Sequence, residues 1–409
     1  MNSLVQYAVS PYRKMMTGKF IIHAFGLGKE QASLAAHYIT GRLFPEHSDE
    51  VHLDAAMKWL CLAQDACSGD GVANVYYLKN GWGVAYPETS GYIVATYLAY
   101  ADITGDAGYI KRAMQLGDWE VRIQTPSGGI LSSPNVSFTR VFNTGQVILG
   151  WCALYERTRN SQYLLAAQRA GDYLVRLQEH DGSWQKDTYC GARTYHSRVD
   201  WALLRLAQLT GDRRFKDAAC KNLTWVLKQQ NENGWFNQCG FNNDDPITHV
   251  IEYTLKGLLE SHLMNIQETN SLNLLPSVLK AADALCAAIR EFPVHGISGM
   301  VATSFDKNWR STDRHSCLTG NSQLAGLLLQ LSQITGNNEY KTVAASVLRA
   351  TKRTQVIDTS FTTLKGAIAG TYPLYQGYTS NGYPNWAAKF FADALMMKIH
   401  FARRMTILA

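Results

Sequence analysis

The feature that most constrains this 409-residue chain is an internal repeat of a helix, a polar turn and a second helix. The turn reads Thr-Gly-Asp or a close variant, and an aromatic residue follows it three or four positions later. The glycine suits the end of one helix, and the Asp or Asn suits the start of the next. One copy departs from this pattern, with Thr-Arg-Asn in the turn. The clear copies span residues 97–119, 151–173, 201–225 and 327–348.

Weaker copies extend the repeat over most of the chain. A degraded copy spans residues 249–289, a half-copy spans 54–64 and a last helix spans 386–402. Roughly six hairpins of about fifty residues each predict an all-α fold, and the half-copy can pair with the last helix to close it. We therefore predict an (α/α)6 toroid, a closed double ring of helices. The predicted organisation is an N-terminal helical extension over 1–46 and a single toroid domain over 47–409.

Composition limits the classes of function. The chain is 46% hydrophobic and 18% charged, and its formal charge of +6 is not gathered into basic runs, which argues against nucleic-acid binding. Eight cysteines without a C-x-x-C pair indicate free thiols in a reducing compartment and no zinc site. No stretch is long and apolar enough to span a bilayer, and no glycine-rich nucleotide loop is present. We expect a cytoplasmic protein without a cofactor, with the periplasm as the alternative and the oligomeric state open.

Polar side chains recur where each predicted inner helix begins. In a toroid these first turns lie at one end of the ring, so residues distant in sequence meet there with free helix N–H groups. Such a site favours an anionic or hydroxyl-rich ligand, and tryptophans in the loops offer flat faces for sugar rings. The candidate catalytic residues are Glu88, His249, Glu252, His196 and Asp200. The candidate substrate-binding residues are Tyr86, Trp82, Asn143, Gln146, Tyr195, Arg198, Trp235, Asn321, Gln323, Tyr383, Asn385 and Lys389.

Each candidate also has a purely structural interpretation. The asparagines can be caps, the histidines can be satisfied core residues, and Arg198 can pair with Asp200. The tryptophans can be core anchors. Glu88 is harder to explain structurally, because a carboxylate beside Pro87 at the mouth of a buried helix should have a perturbed pKa that suits proton transfer.

Several motifs at these helix mouths resemble one protein family. YPETSGY (86–92), FNTGQ (142–146), NGWF (233–236) followed by THVIEY (248–253), SCLTGNSQ (316–323) and YPNWAAKFF (383–391) together resemble VpsJ-like proteins of bacterial polysaccharide-biosynthesis clusters. The repeat as a whole looks like the six-hairpin glycosidase and α/α-toroid lyase superfamilies. The resemblance runs from about residue 54 to the C-terminus. It implies a role in making, trimming or modifying an exopolysaccharide, capsule or O-antigen, and it carries no catalytic assignment.

Three functions fit the residues, and we favour the first narrowly. Glycoside hydrolysis of an acidic saccharide would use Glu88 as the acid with Asp200, Asp245 or Glu252 as the second carboxylate. Uronate β-elimination or C5 epimerisation would use neutral and cationic groups, which the His, Tyr, Asn and Arg candidates supply. A non-catalytic glycan-binding protein is the third. Terpenoid chemistry ranks last, since only Asp244-Asp245 suggests an aspartate-rich motif, and a calcium ion at that pair lacks support.

Overall fold

Twelve long helices make up most of the part of the chain that the structure describes. The structure is a computed structural model; it describes Leu34 and residues 43–242, 245–375 and 377–408, with side chains as far as 400. The predicted extension over 1–46 therefore lies almost wholly outside the described residues. The helices are α1 (Asp49–Asp65), α2 (Pro87–Thr104), α3 (Ala107–Ile123), α4 (Val141–Thr158), α5 (Ser161–Leu177), α6 (Ser197–Thr210), α7 (Arg213–Leu227), α8 (Thr248–Leu263), α9 (Leu274–Glu291), α10 (Leu318–Thr335), α11 (Asn338–Lys352) and α12 (Asn385–Leu408).

Short elements fill the loops between these helices. Strands β1 (Val75–Tyr77), β2 (Gly81–Trp82) and β5 (Gly382–Pro384) form an antiparallel sheet in the order β2-β1-β5, and β3 (Ser316–Cys317) pairs with β4 (Thr371–Tyr372). A four-residue helix covers Gln267–Asn270, and 3₁₀ turns cover Thr194–His196, Val294–Gly296 and Thr362–Leu364. The first sheet joins the loop before α2 to the loop before α12, so it ties the start of the toroid to its end.

The even-numbered helices form a closed inner ring. Each packs on the next in the order α2, α4, α6, α8, α10, α12, and α12 packs back on α2. The outer helices follow their inner partners, and α1 completes the outer layer by packing on α12. The inner helices are buried on most faces, whereas an outer helix such as α7 is buried on one face only. The predicted (α/α)6 toroid is confirmed, including closure between the half-copy and the last helix.

Backbone hydrogen bonds show that the helix mouths lie at one end of this ring. The N–H at or near the start of an inner helix donates to a carbonyl in the loop that leads to the next one. Four such bonds join consecutive mouths, and a fifth from Asn385 N–H to Asn74 O joins the last mouth to the first. The four are Val141 to Asp187 at 2.8 Å, Thr194 to Gln238 at 3.1 Å, Thr248 to Thr303 at 2.7 Å and Leu318 to Gly370 at 3.3 Å.

The turns of the repeat have the caps that the sequence predicts. Gly105, Gly211 and Gly336 end inner helices in the left-handed conformation, with φ of 75°, 72° and 72°. The next residue in each repeat accepts a hydrogen bond from the N–H two positions on and so caps the outer helix, as Asp106 does for Gly108. Arg159, in the divergent copy, takes the same left-handed conformation with φ of 59°.

A glutamine after each of three outer helices fixes the spacing of neighbouring repeats. Gln124 Nε2 donates to its own loop at Gly128 O and to the next outer helix at Ala166 O, each at 2.9 Å. Gln178 and Gln230 make the equivalent pairs of bonds. Because each side chain satisfies carbonyls of two repeats, the repeat interface depends on more than apolar packing.

We predict that Arg159→Gly increases the free energy of unfolding by about 1 kcal/mol. A side chain in the left-handed region costs roughly 1–2 kcal/mol, and part of the gain is offset because glycine increases the entropy of the unfolded chain. Urea unfolding of the variant and the parent protein measures the difference. Arg157→Gly, within the same helix α4, is the matched control and should be destabilising by about 1 kcal/mol. Equal effects at both positions would contradict the prediction.

No helix within the described ranges combines the length and the apolar character that crossing a membrane requires.

All eight cysteines are free of disulfide bonds, as the sequence predicts, and most are buried or half-buried.

Candidate functional site

Glu88 lies in the first turn of α2, at the end of the ring where the inner helices begin. Pro87 starts this helix and Tyr86 precedes it, so the Glu88 carboxyl group sits just inside the helix mouth. The Tyr86 hydroxyl group approaches Glu88 Oε2 at 3.4 Å and also lies 3.0 Å from the hydroxyl oxygen of Tyr189. Two phenol groups therefore border one carboxyl group.

Burial changes the acidity of Glu88. The side chain is only 8% exposed, and this desolvation raises the pKa of Glu88 to about 7, although the hydrogen bond from Tyr86 and the positive charge of Arg198 lower it. A carboxyl group with this pKa is partly protonated at neutral pH. It can therefore donate a proton to a leaving group.

Further aromatic rings pack around Tyr86, which borders Glu88. The ring of Trp386 lies 6.4 Å from that of Tyr86 and 6.3 Å from that of Tyr378. The Arg140 guanidinium group lies 4.9 Å from the ring centre of Tyr189, which is 37% exposed. We call the group formed by Tyr86, Glu88, Tyr189, His249, Tyr378 and Trp386 the upper mouth. It combines one acid with flat apolar faces, which suits a sugar ring.

His249 contributes to the upper mouth from α8, the inner helix opposite α2. Its ring lies 5.7 Å from that of Tyr378, and its Nδ1 atom lies 2.7 Å from Gln323 Oε1. Because an amide oxygen only accepts hydrogen bonds, Nδ1 carries the proton and Nε2 is an acceptor. Burial lowers the pKa of His249 to about 4, so the ring is neutral at pH 7. A neutral histidine with an unprotonated Nε2 can accept a proton.

A layer of aromatic side chains closes the ring beneath the upper mouth. Tyr92, Phe142, Tyr253 and Phe390 come from four different inner helices, and all four are buried. Ring centres lie 5.3 Å apart for Tyr92 and Phe390, 6.0 Å for Tyr253 and Phe390, and 4.9 Å for Phe142 and Tyr253. We call these four residues the aromatic layer. It separates the upper mouth from the opposite end of the ring.

A cavity of about 650 Å³ lies on the other side of the aromatic layer. We call it the lower cavity. Four candidates that the sequence assigned to the helix mouths line it instead: Arg198, Glu252, Gln323 and Lys389. Gln323 Nε2 donates to Glu252 Oε2 at 2.7 Å, and Lys389 Nζ pairs with Asp393 Oδ2 at 2.6 Å. Gln323 also holds His249, so this side chain connects the two compartments.

His196 and Asp200 lie away from both compartments. The ring of His196 packs edge-on against the buried Trp184, and Asp200 lies close enough to Cys220 of α7 to raise the pKa of that thiol, after the larger effect of burial. Both side chains are sealed, and burial lowers the pKa of His196 to about 3 and raises that of Asp200 well above its usual value. Neither reaches a ligand in the upper mouth or the lower cavity, and Arg198 does not pair with Asp200.

The asparagine candidates hold the loops around the mouth. Asn385 Nδ2 donates to Ala73 O at 3.0 Å and to Thr89 Oγ1 at 2.8 Å, which links the sixth mouth to the first. Asn143 Nδ2 donates to Leu131 O at 3.2 Å, and Asn321 accepts from Ser316 Oγ at 3.2 Å. All three are fully buried, and these bonds hold the loops in place around the mouth.

The remaining candidates also pack within the protein. Gln146 Oε1 accepts from Arg198 Nε at 3.0 Å and so positions that guanidinium group. Trp82 packs against Trp59, and Trp235 packs against Trp309. Tyr195 and Tyr383 are fully buried. Tyr195 packs on Phe142 and on Phe241, which also contacts Tyr189 of the upper mouth.

The sequence did not identify Tyr189, Tyr378 or Arg140 as site residues. All three lie in loops whose sequences differ from repeat to repeat, so no periodic signal marks them. Trp386 could have been identified from the sequence, because it follows Asn385 at the sixth helix mouth. The two carboxylates considered for calcium are Asp244, which is outside the described residues, and Asp245, which is exposed. Within the ranges described, no group of three or more His, Cys, Asp or Glu side chains is arranged to hold a metal ion.

Comparison with known proteins found one family model that matches part of the chain. Residues 88–269 match the model of the β-L-arabinofuranosidase GH127 catalytic domain, a stretch that begins at Glu88 and covers less than half of the chain. A search of curated proteins found no significant match. The chain is thus similar to a glycosidase catalytic domain over four of its inner helices, from α2 to α8.

Solved structures of sugar-active enzymes share the whole fold. An unsaturated glucuronyl hydrolase from Bacillus sp. GL1, responsible for the degradation of glycosaminoglycan, has a TM-score of 0.66 and 14% identity, covering 85% of this chain and 96% of that one. A sugar epimerase from a ruminal bacterium has a TM-score of 0.65 and 11% identity over 86% and 98% of the two chains. A polysaccharide lyase has a TM-score of 0.63 and 12% identity over 87% and 99%.

These likenesses support a broad class of function, that of carbohydrate-active enzymes. Identities of this size indicate a shared fold and leave the reaction open. The toroid fold expected from the resemblance to six-hairpin glycosidases is confirmed, and the resemblance to VpsJ-like proteins stays a prediction. This chain is an α/α toroid similar to carbohydrate-active enzymes, and the prediction of an enzyme is confirmed at that level.

Proposed function

We propose that this protein hydrolyses glycosidic bonds in an acidic oligo- or polysaccharide at the upper mouth, with Glu88 as the general acid. The observation that carries the proposal is a buried carboxyl group with a pKa of about 7 at the mouth of an inner helix, next to aromatic rings. The glycosidase catalytic-domain match beginning at this residue supports it. Arg140, packed on Tyr189, supplies positive charge at the mouth, which favours an acidic substrate.

Asp245 is the best candidate for the second carboxylate. Hydrolysis needs an ionised group opposite the acid, as base or nucleophile. Of the three carboxylates that the sequence offers, Asp200 is sealed on the far side of α6 and Glu252 lies beyond the aromatic layer. Asp245 is exposed in the loop that leads into α8, and α8 faces α2 across the ring.

Elimination or epimerisation at a uronate is the second candidate function. The specific observation in its favour is His249, which is neutral, has an unprotonated Nε2 atom and packs on Tyr378 of the upper mouth. Such a group can remove the proton next to a carboxylate, while Tyr86 and Tyr189 stabilise the charge that develops. The hydrolase, lyase and epimerase activities of proteins with this fold are consistent with either reaction.

The resemblance to VpsJ-like proteins adds a proposal about the biological substrate. The saccharide would then belong to a bacterial exopolysaccharide, capsule or O-antigen. Free cysteines throughout the chain support a reducing compartment, and we propose the cytoplasm.

Mass spectrometry of neutral and acidic oligosaccharides after incubation with the protein tests the reaction. Fragments that have gained one water indicate hydrolysis, fragments whose masses sum to that of the substrate indicate elimination, and uptake of solvent deuterium without cleavage indicates epimerisation. Glu88→Gln is the control for contaminating activity. A panel in which no saccharide changes mass, although saccharides bind, would support a non-catalytic glycan-binding protein and overturn the enzymatic proposal.

The pH dependence of hydrolysis should report the ionisation of Glu88. Only the protonated form donates a proton, so we expect kcat/KM to fall about tenfold per pH unit above the pKa of about 7. Initial rates between pH 5 and 9 on one substrate measure this. Activity that instead rises with pH through 7 would mean that the ionised carboxylate acts as a base, and it would contradict the role of acid.

A further inference from the structure

The lower cavity has its own opening, at the end of the ring opposite Glu88. Five of the six inner helices line it, all except α4. Asp102, Gln333 and His400 are exposed at its rim, and Ala95 and Ala99 of α2 present exposed methyl groups to it. With a volume of about 650 Å³, it can hold a small organic molecule. Solvent reaches it without passing the aromatic layer.

Most charges in this cavity are already paired. Lys256 Nζ lies 2.6 Å from Glu260 Oε1, and Gln330 bridges the same pair through bonds of 2.7 and 3.0 Å. Lys389 pairs with Asp393, which also accepts from Thr96 Oγ1 at 2.8 Å. These two pairs are locally neutral and hold their polar atoms in fixed positions.

Arg198 and Glu252 stand outside these two pairs. Glu252 accepts a hydrogen bond from Gln323, and burial raises its pKa, which favours the neutral form, although the charge of Arg198 lowers it. Arg198 is the cation without a paired carboxylate. It is only 3% exposed, and no carboxylate among the described residues lies within ion-pair distance of it. Its Nε atom donates to Gln146, and its guanidinium carbon lies 4.9 Å from the ring centre of Tyr253 in the aromatic layer. Burying a cation without an ionic partner is costly, and an anion bound beside it would reduce that cost.

The other lining groups are those that recognise hydroxyl groups. Gln323, Gln330 and Gln333 offer amides, Ser322 and Thr96 offer hydroxyl groups, and Trp201 offers a half-exposed indole ring 5.7 Å from the Arg198 guanidinium carbon. Amides and hydroxyls bind sugar hydroxyls, and an indole face packs on the C–H groups of a sugar ring. The wall is therefore polar and aromatic rather than lipid-like.

We propose that the lower cavity is a second ligand site, which binds a small hydroxylated carboxylate of monosaccharide size through Arg198. The carboxylate group occupies the space beside the guanidinium group, where a bidentate hydrogen-bonded pair satisfies both charges. The ligand hydroxyl groups bond to the glutamine amides and to the two fixed ion pairs. The site is distinct from the upper mouth, because the aromatic layer lies between them.

Isothermal titration calorimetry with D-glucuronate, D-galacturonate and D-gluconate tests this proposal, with D-glucose and propionate as probes for each half of the ligand. We expect at least one sugar acid to bind. D-glucose lacks the carboxylate and propionate lacks the hydroxyl groups, so each should bind at least tenfold more weakly. Arg198→Met should weaken the binding tenfold or more. Ala99→Trp fills the cavity from an exposed position and should abolish binding without disturbing the core.

Two further variants locate the binding. Glu88→Gln should bind the sugar acid as the parent protein does, since Glu88 lies beyond the aromatic layer. Leu165→Trp, 54% exposed on the outer helix α5, adds a tryptophan elsewhere and should also leave binding unchanged. The proposal is overturned if no sugar acid binds at millimolar concentration, if D-glucose binds equally well, or if Ala99→Trp binds normally. Binding lost only in Glu88→Gln would assign the sugar acid to the upper mouth.

Discussion

Glu88→Gln is expected to lower kcat/KM by about 10²–10⁴-fold, the usual contribution of a positioned general acid. Glutamine keeps the shape of the side chain and its contact with Tyr86, but it cannot transfer a proton. The loss should fall mainly on kcat, because the group acts in the transition state more than in substrate binding. Steady-state kinetics on whichever oligosaccharide the mass-spectrometric panel identifies measures the change.

A stability measurement shows that the loss is chemical rather than a folding defect. The folded-state pKa of Glu88 is raised from 4.5 to about 7, so the stability present below pH 4.5 is lost as pH rises toward and through 7. A shift of this size corresponds to roughly 3 kcal/mol. At pH 8 Glu88→Gln should therefore be more stable than the parent protein, and at pH 4 it should not. A variant that is inactive and less stable at both pH values would count against the acid role.

Gly257→Ala is expected to weaken the inner ring by about 2 kcal/mol. A Cβ atom at this position in α8 would lie 2.3 Å from the Ser197 carbonyl carbon and 2.4 Å from the Arg198 backbone nitrogen, in the first turn of α6. These are backbone atoms, so the clash is relieved only if two inner helices move apart. Overpacking of this kind costs about 1–3 kcal/mol, and the backbone contact favours the upper part of that range. The gain of about 1 kcal/mol in helix propensity offsets part of it.

Gly326→Ala is the matched control for this substitution. Gly326 also lies within an inner helix, α10, and gains the same propensity, but its added Cβ would approach Ala394 at an ordinary 3.8 Å. We expect it to be neutral or stabilising by up to about 1 kcal/mol. Denaturant unfolding of both variants measures the difference between them. Equal stabilities would show that the α6–α8 contact is more adaptable than the close approach of the two helices implies.

The architecture was predictable because the repeat encodes it locally. Gly105 and Asp106 together end one helix and start the next, and the same pair of roles recurs along the chain. The repeat also located the divergent turn, since Arg159 occupies the left-handed position that the other copies fill with glycine. Closure followed from counting hairpins. The loops were not predictable, because their contacts depend on neighbours that are remote in sequence.

The candidate site was predictable only in part, and helix geometry explains the errors. Successive residues turn by about 100°, so Arg198 points roughly opposite to both His196 and Asp200 on the same stretch of chain. Arg198 could face the axis of the ring only if the other two faced away from it, as His196 does toward Trp184 and Asp200 toward Cys220 of α7. The second error concerned how far each side chain lies from the helix mouth along the axis of the ring. Glu252 lies about one turn beyond His249, which is enough to put it on the other side of the aromatic layer.

The aromatic layer also decides how a long substrate can move. A ring with an open bore could encircle a polymer and slide along it, but four buried side chains block this bore. A polysaccharide bound at the upper mouth must therefore enter and leave from the same side. Each product dissociates before the next stretch of chain binds. We expect action on chain termini or on short oligomers, with release after each turnover, rather than processive travel along a threaded strand.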